Sequence, residues 1–372
     1  MSSPISIAIL GAGIFARIAH LPAIRELGDV YQLKAIYSRS KSSATELAKT
    51  AETSLALPEA SLAIYYDLGG QDGNLEALLA RQDIQAVIIA LPITSQPAIV
   101  VQCLEAGKHV ISEKPVAPTV KDGIKLINTY ESVYKPRGLV WRVAENFEAE
   151  PGLQAAGKAI AEQKIGKVCF WNYQVLNNVN TDGMWYKTPW RTVPDYQGGF
   201  LLDGGVHSAA ALRTVLPSPL QQLSGLASLN REHLAPHDTI HTLIRSKDGS
   251  HGLFELSFGL PSSAGGGDSF RVVGTEGILL ITKFNKPGEK EGESTQYIKV
   301  QITSAKDGST EEIIEKTCGV KQELSSFAAH VRGQDDGLGK PLRALQDVAV
   351  IQAALNSNGS VVDLTKLIEE SQ

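Results

Sequence analysis

The stretch ILGAGIFARIAH, residues 9–20, decides the fold. It carries the spacing G-x-G-x-x-A, with Gly11, Gly13 and Ala16 at the fixed positions. Gly11 permits a tight turn, Gly13 lets the backbone approach a pyrophosphate, and Ala16 lets a helix pack closely on a strand. The spacing predicts a dinucleotide-binding turn, and the alternative is a plain structural turn.

The context of the stretch favours the dinucleotide-binding interpretation. It stands between an isoleucine-rich run at residues 5–10 and a segment with helical spacing at residues 15–27. The N-terminus of the first helix supplies partial positive charge, which attracts a pyrophosphate. We therefore expect cofactor contacts from Gly11, Gly13, Ile14 and Phe15.

Strand-like and helix-like segments then alternate along the first third of the chain. The strand-like segments are residues 31–38, 62–67, 84–92 and 108–113, and the helical ones are 42–51, 73–81 and 97–107. This order predicts a parallel sheet covered by helices on both faces. We assign this doubly wound α/β Rossmann domain to residues 1–142.

The remainder, residues 143–372, predicts an α+β domain with a large, mostly antiparallel open sheet. Two alternating strands flank the turn KDGS at 247–250 and read as a hairpin. Helices are expected at 151–163, 204–216, 320–333 and 341–357, and the last of these is a candidate to pack back on the Rossmann domain. The crevice between two such domains is the expected site of chemistry.

Composition excludes several classes of protein. The 372 residues have a net charge of −5 and 43% hydrophobic content, which describes a globular protein without the basic face of a nucleic-acid binder. No apolar run approaches the roughly 18 residues that a membrane span needs. Three well-separated cysteines, and no leader-like N-terminus, predict reduced thiols and a cytoplasmic location.

The end of the second strand predicts which cofactor binds. An NAD-selective site usually has an acidic residue there, which binds the ribose hydroxyls. This chain has Ser38, Arg39, Ser40 and Lys41 instead. Two cations and two hydroxyls suit a 2′-phosphate, so we predict NADP(H). The alternative is a solvated turn with two surface cations.

The fourth strand ends in the sequence ALPITSQP, residues 90–97. Leu91, Pro92 and Thr94 are expected beside the diphosphate and ribose of the cofactor. Thr94 and Ser95 are equally suited to cap the following helix. Both interpretations stay open.

The fifth strand ends in VISEKPVAPTV, residues 110–120, which places Glu113, Lys114 and Pro115 in a row. Ligands of an open parallel sheet lie beyond the carboxyl ends of its strands. Pro115 restricts Lys114 to an extended backbone, which aims the ammonium group. Glu113 is expected to set the position or charge of Lys114.

A second group of candidate residues lies in GGFLLDGGVHSAA, residues 198–210. Asp203 and His207 are four residues apart, which on a helix places both on one face. The carboxylate can then orient an imidazole whose ordinary pKa suits proton transfer near neutral pH. The alternatives are a helix cap for Asp203 and a core position for His207.

Three of these stretches together resemble one known family. GAGIFA at the N-terminus, AGKHVISEKP at 106–115 and WRTVPDYQGGFLLDGGVH at 190–207 resemble the glucose–fructose oxidoreductase and inositol dehydrogenase (Gfo/Idh/MocA) family, and the order and separation of the stretches match. The resemblance covers the whole chain and is greatest to fungal or yeast-type members that use NADPH. It implies hydride transfer between a nicotinamide and an oxygen-bearing carbon of a sugar, polyol or related molecule.

The resemblance also implies residue roles. Lys114 positions the substrate, His207 gives or takes the proton, and Asp203 is its partner. Trp190 and Arg191 border the nicotinamide, and Asn146 lines the substrate pocket. Cofactor contacts from Glu113 and Lys114, and homodimers or tetramers formed through the open face of the C-terminal sheet, are further expectations.

Two other functions compete with this interpretation. Some relatives are non-catalytic nucleotide-binding sensors, although these would be expected to lack Lys114 or His207. An enzyme of this type can also reduce an imine, an enone or an aromatic dihydrodiol, since aromatic residues including Trp171 and Tyr173 can stack on sugars or on flat rings. His20 and His109 are interpreted as structural. His233, His237, His241 and His251 share no ligand-like spacing with acids or cysteines, so we predict no catalytic metal.

Overall fold

The computed structural model describes residues 3–287 and 294–371. The chain divides into two compact units. The first comprises Met1–Ala117, Asp122–Glu145 and Val320–Ala344, and the second comprises Pro118–Lys121, Asn146–Gly319 and Leu345–Gln372. Within the described ranges, no helix combines the length and the apolar character that crossing a membrane requires.

The first part of the chain alternates strands and helices as expected. Its elements are β1 (Ile5–Leu10), a π-helical turn (Ala16–His20), α1 (Leu21–Leu27), β2 (Tyr31–Ser38), α2 (Lys41–Ser54), β3 (Ala63–Tyr66), α3 (Leu75–Ala80), β4 (Ala86–Ile89), α4 (Gln96–Glu105), β5 (His109–Glu113), α5 (Val120–Thr129) and β6 (Trp141–Ala144).

The rest of the chain contributes most of the strands. Its elements are α6 (Pro151–Ala161), β7 (Val168–Leu176), α7 (Pro189–Thr192), α8 (Phe200–Asp203), α9 (Gly205–Val215), β8 (Leu220–Ser228), β9 (Thr239–Ser246), β10 (His251–Ser257), β11 (Gly267–Gly274), β12 (Gly277–Pro287), β13 (Ser294–Ser304), β14 (Thr310–Lys316), α10 (Gly319–Val331), α11 (Pro341–Asn356), β15 (Val362–Asp363) and α12 (Leu364–Glu369).

The first unit is built on a parallel sheet with strand order β3-β2-β1-β4-β5-β6. This is the order of a Rossmann fold, in which ligands lie beyond the carboxyl ends of the strands. Every residue of β4 is buried, because helices cover both faces of the sheet. The predicted doubly wound domain is confirmed, and β6, which was not predicted, completes its edge.

The second unit is built on a nine-stranded sheet with order β14-β13-β12-β11-β7-β10-β9-β8-β15. The predicted hairpin is confirmed as the antiparallel pair β9–β10. One pair, β7 with β10, runs parallel. The sheet is therefore mixed but mostly antiparallel, as the sequence predicted.

The helix predicted over 204–216 is confirmed as α9. It is preceded by the short α8 and begins at Gly205. A Cβ at Gly205 would stand 2.6 Å from Leu256 of β10 and 3.1 Å from Ile351 of α11. A glycine therefore allows α9, which carries His207, to lie directly against the sheet.

The unit division also differs from the expected domain boundary. Most of α10 belongs with the parallel sheet, and most of α11 belongs with the nine-stranded sheet. The hydrophobic core of the first unit explains the placement of α10. Leu324, Phe327 and Ala328 of this helix are buried in one cluster with residues of β1, β2 and α2.

Candidate active site

The turn after β1 is shaped by a contact that only glycine tolerates. Gly11 has a φ of +116°, and a Cβ there would stand 2.1 Å from the carbonyl oxygen of Ala90. Its amide donates a hydrogen bond of 2.8 Å to the Tyr37 carbonyl oxygen. The turn is thus held against β2 and against the residue that follows β4.

Gly13 has a different environment. It is exposed, and within residues 3–287 and 294–371 no atom lies within 4 Å of the position that a Cβ would occupy. Packing within the chain therefore does not require a glycine there, whereas close approach of a pyrophosphate to the backbone would. Ile14 and Phe15 are half-buried and lead into the helical segment that begins at Ala16.

The predicted 2′-phosphate residues lie where β2 gives way to α2. Ser40 caps α2, since its hydroxyl accepts a hydrogen bond of 3.2 Å from the Ser43 amide. Arg39 and Lys41 are exposed, and the Lys41 ammonium lies 5.8 Å from the centre of the Tyr66 ring. Ser38, half-buried, is the last residue of β2.

An acidic residue that the sequence analysis did not consider lies at the same end of the sheet. Asp67 follows β3 and accepts a short hydrogen bond from the Tyr37 hydroxyl. Burial, followed by this contact with Asp67, raises the pKa of Tyr37. Asp67 itself is exposed, at the end of the strand next to β2.

The segment after β4 joins the same edge of the sheet. Leu91 and Pro92 are half-buried and Thr94 is exposed. Ser95 occupies the capping position of α4, but its side chain makes no capping hydrogen bond. The helix-cap interpretation is therefore not supported for Ser95, and the cofactor contact of Thr94 stays a prediction.

The end of β5 carries Lys114 beside an anchored carboxylate. Glu113 is buried, and its Oε1 lies 2.8 Å from Nε2 of the fully buried His20. The next residue, Lys114, is half-buried. Glu113 is thus directed toward His20, and its predicted contact with the cofactor remains untested.

Within the described ranges, one group of side chains has its potential ligand atoms spaced closely enough for a metal ion. His20, Glu113 and Glu323 are all buried, and their atoms lie within 4.8 Å of one another. These residues are far apart in the sequence, which is why no spacing pattern indicated the group.

In the second unit, Asp203 forms an ion pair with Arg191. The Arg191 Nε donates to the Asp203 Oδ2 at 2.6 Å, and both side chains are largely buried. The guanidinium carbon lies 3.9 Å from the centre of the Trp190 ring and 5.2 Å from that of Trp185. Arg191 and Trp190, predicted to border the nicotinamide, are therefore fixed in one cluster with Asp203.

Tyr196 belongs to the same cluster. It is buried, and its ring lies 5.9 Å from that of Trp190. Burial, followed by the negative charge of Asp203, raises the pKa of Tyr196, so its hydroxyl stays protonated. Sequence reasoning missed this residue, because a tyrosine in an irregular stretch has no distinguishing spacing.

His207 lies in the first turns of α9 and is half-buried. Its ring stacks on Phe147, with a centroid distance of 4.8 Å and an interplanar angle of 22°. The ammonium group of Lys283 lies 4.3 Å from the centre of the Phe147 ring and forms an ion pair of 2.6 Å with Asp268. The stacking fixes the plane of the imidazole, which a proton-transfer group requires.

The three remaining candidates differ in accessibility. Trp171 and Tyr173 are buried in the sheet, where both rings pack on Phe270. Their predicted contact with a substrate is untested, and their burial gives them a packing role. Asn146 is half-buried and its side chain bonds the Glu150 carboxyl group.

The cofactor candidates of the first unit are therefore brought to one edge of the parallel sheet. The glycine turn follows β1, the cationic segment follows β2, and Lys114 follows β5. Such an edge can hold an extended dinucleotide, with its adenosine half toward β2. In the second unit, an imidazole of fixed orientation and an arginine–aspartate pair can serve proton transfer and polar recognition.

Comparison with protein families agrees with this arrangement. The model described as "Oxidoreductase family, NAD-binding Rossmann fold" matches residues 5–135. The model described as "Oxidoreductase family, C-terminal alpha/beta domain" matches residues 158–364. Both are models of the Gfo/Idh/MocA group, so the resemblance inferred from the sequence is confirmed over most of the chain.

Individual relatives are similar over long stretches. Dehydrogenase FPY6 of Fusarium mangiferae is 36% identical over 359 residues, which cover 95% of this chain and 96% of that protein. A dTDP-3,4-didehydro-2,6-dideoxy-alpha-D-glucose 3-reductase of Streptomyces violaceoruber is 26% identical over 71% of this chain and 72% of its own length. The crystal structure of an oxidoreductase from Thermotoga maritima superposes with a TM-score of 0.82 at 28% identity, covering 98% of this chain and 99% of that one.

The two glycines of the turn offer a matched test of structure against binding. Gly11→Ala introduces both the 2.1 Å clash and an unfavourable φ, so we expect it to lower the free energy of unfolding. Strain of this kind costs roughly 1–3 kcal/mol. Gly13→Ala meets no atom of the described residues, so it should leave stability unchanged and weaken cofactor binding. Urea denaturation and fluorescence titration with NADPH measure the two effects.

Proposed function

The chain belongs to the Gfo/Idh/MocA oxidoreductase family, and we propose that it is an NADP(H)-dependent enzyme that transfers hydride between the nicotinamide and a carbonyl or hydroxyl carbon of a small molecule. The observation that carries the proposal is the placement of the glycine turn and Lys114 on one sheet edge. They follow β1 and β5, the two neighbours of β4. A dinucleotide lying on that turn would bring its reactive end toward Lys114.

In the direction of reduction, the hydride leaves the nicotinamide for the carbonyl carbon, and the oxygen takes up one proton. We assign Lys114 and His207 to that oxygen, one as the proton donor and both as polarising groups. Preorganised donors of this kind stabilise the developing alkoxide. Oxidation is the reverse, with NADP⁺ accepting the hydride.

The remaining predicted residues have supporting roles in this proposal. Asp203 fixes Arg191, and that pair with Trp190 borders the nicotinamide. Asn146 contributes to substrate binding. These assignments follow the family resemblance, and their support is the ion pair between Arg191 and Asp203, the packing of Arg191 on Trp190 and the hydrogen bond between Asn146 and Glu150.

A sugar, a polyol or a related carbonyl compound is the proposed substrate. The named sugar-nucleotide reductase among the sequence relatives supports this class. Trp185 and Trp190 are occupied by the Arg191 guanidinium, which leaves less aromatic surface for a flat ring. A panel of sugars, ketones, enones and imines, followed by the loss of NADPH absorbance, distinguishes these classes, and turnover of none of them with intact cofactor binding would favour a sensor.

The preference for NADP(H) rests on Arg39 and Lys41. Arg39→Ala should raise the Kd for NADPH by about tenfold, since a hydrogen bond to a charged group contributes about 1.5–3 kcal/mol. The Kd for NADH should change little. Arg17→Ala, another exposed arginine of the same unit, is the control. Equal losses for both cofactors would contradict a contact with the 2′-phosphate.

The chemical step depends on Lys114 and His207. Lys114→Met and His207→Ala should each lower kcat by about 100-fold or more, the usual scale for removing a general acid–base group. Both variants should still bind NADPH, as measured by quenching of tryptophan fluorescence. The double variant should lose less than the product of the two losses, because both groups serve one oxygen. Wild-type turnover by Lys114→Met would exclude the lysine from the reaction.

We also propose a homodimer or tetramer assembled through the nine-stranded sheet. Its outer face exposes Phe170, Leu243 and Leu253, each about half accessible, around a cavity of about 520 Å³. Arg271, His251 and Asn172 also line the cavity. Exposed apolar side chains that are grouped together and rimmed by polar ones mark a surface that binds a partner.

Sedimentation velocity at micromolar concentration tests the assembly. The wild-type chain should sediment as at least twice its mass of 39.9 kDa. Leu253→Lys should shift it toward the monomer, because the charge would be buried in the interface. Leu68→Lys, at a highly exposed leucine of the first unit, should not. A wild-type monomer would contradict the proposal.

A further inference from the structure

The contact between His20 and Glu113 joins the first helical segment to the strand that leads to Lys114. The two residues are 93 positions apart, and Nε2 lies 2.8 Å from Oε1. The His20 side chain is completely inaccessible to solvent, and the Glu113 side chain is about nine-tenths buried. A hydrogen bond to a carboxylate away from water is strong, because losing it leaves a buried charge uncompensated.

The contact is made on one defined face of the sheet. Ile111 and Glu113 are two residues apart in β5 and therefore point to the same face. Ile111 is buried in the cluster that contains Leu324 of α10. Glu323, the preceding residue of α10, brings its carboxylate to within 4.8 Å of the His20 and Glu113 atoms. Two other elements, the first helical segment and α10, thus converge on the last residue of β5.

The position of Lys114 depends on how firmly that residue is held. Glu113 is the last residue of β5, and Pro115 restricts the backbone of Lys114 to extended conformations. The Lys114 backbone is therefore bounded by an anchored residue on one side and a conformationally fixed one on the other. If the backbone at Glu113 were free to move, the Lys114 ammonium group would move with it.

We propose that His20 is a positioning residue for the reaction, which acts through Glu113 to hold Lys114 at the cofactor edge, with Glu323 completing the buried cluster. This inference rests on the function proposed for Lys114. His20 touches neither cofactor nor substrate in this role. The distance of 2.8 Å is that of a hydrogen bond, which favours a proton-sharing cluster over a metal site, where two ligand atoms stand farther apart.

The amides asparagine and glutamine provide a matched pair of variants. In His20→Gln the side-chain nitrogen reaches about as far as Nε2 of the histidine and can still donate a hydrogen bond to Glu113. In His20→Asn the side chain is too short for its nitrogen to reach Glu113. We expect His20→Asn to lower kcat by about tenfold or more, since a displacement of about 1 Å is enough for losses of this size. His20→Gln should have a kcat close to that of the wild type. The Kd for NADPH should be unchanged in both.

His109→Asn is the control, because His109 begins the same strand and accepts a hydrogen bond from the Val140 amide. It should reduce thermal stability without changing kcat. Wild-type kcat in His20→Asn, or equal losses in His20→Asn and His20→Gln, would overturn the positioning role. If His20→Asn does not fold, Glu113→Ala replaces it, and an unchanged kcat there would overturn the role equally.

A second readout is independent of turnover. Hydrogen–deuterium exchange of the peptide spanning residues 109–118 should be faster in His20→Asn than in the wild type and should be restored in His20→Gln. Unchanged exchange would overturn the inference even if the enzyme is active. Restored exchange in a protein that turns over no substrate would support the anchor and reject the proposed function instead.

Elemental analysis of the purified chain addresses the metal alternative. We expect no stoichiometric divalent metal, and retained activity after dialysis against a chelator. One equivalent of metal that is lost in His20→Asn would assign the cluster to a metal ion and overturn the proposal.

Discussion

The contact between Gly11 and the Ala90 carbonyl oxygen is the constraint on which the first unit depends. A side chain at Gly11 would stand 2.1 Å from that oxygen, and the same residue donates a hydrogen bond to Tyr37. One glycine therefore ties the turn after β1 to β2 and to the residue after β4. Because the strands are parallel, this also brings the cationic segment after β2 and the lysine after β5 to the same edge.

The second unit also depends on a close contact that only a glycine permits. Its nine-stranded sheet supports α9 at very close range, which Gly205 permits. The helix then presents His207 to a stack with Phe147, while α7 and α8 are joined by the ion pair between Arg191 and Asp203. A half-buried imidazole of fixed plane and a buried arginine are costly to order. The free energy spent on ordering these two groups has a reason if the imidazole serves proton transfer and the arginine serves recognition.

Much of the fold was predictable because its signals are local. Runs such as IQAVIIALP are apolar on both faces, which indicates a strand of a parallel sheet, and an Asp-Gly between two alternating strands indicates a hairpin. The short β6 and the parallel pairing of β7 with β10 were not predicted. Pairing between strands that are distant in the sequence is set by the packing of the whole sheet, and no local pattern records it.

The candidate site shows the same division. The glycine turn and Lys114 followed from their places at strand ends. The spacing of Asp203 and His207 predicted that they share a helix face, and the structure adds an ion pair between Asp203 and Arg191, twelve residues earlier in the chain. His20 appeared to be an ordinary core histidine, because its contacts lie on β5 and α10. Contacts across such separations depend on tertiary packing, which sequence spacing does not report.

The central claim is hydride transfer to a carbon that bears oxygen. It is tested most directly with NADPH that carries deuterium at the transferable position of the nicotinamide, in a reaction with the best substrate of the panel. The account predicts one non-exchangeable deuterium per product molecule, located by mass spectrometry and NMR on the carbon that held the carbonyl oxygen. A reduced product without that deuterium, or with the label on another carbon, would contradict it.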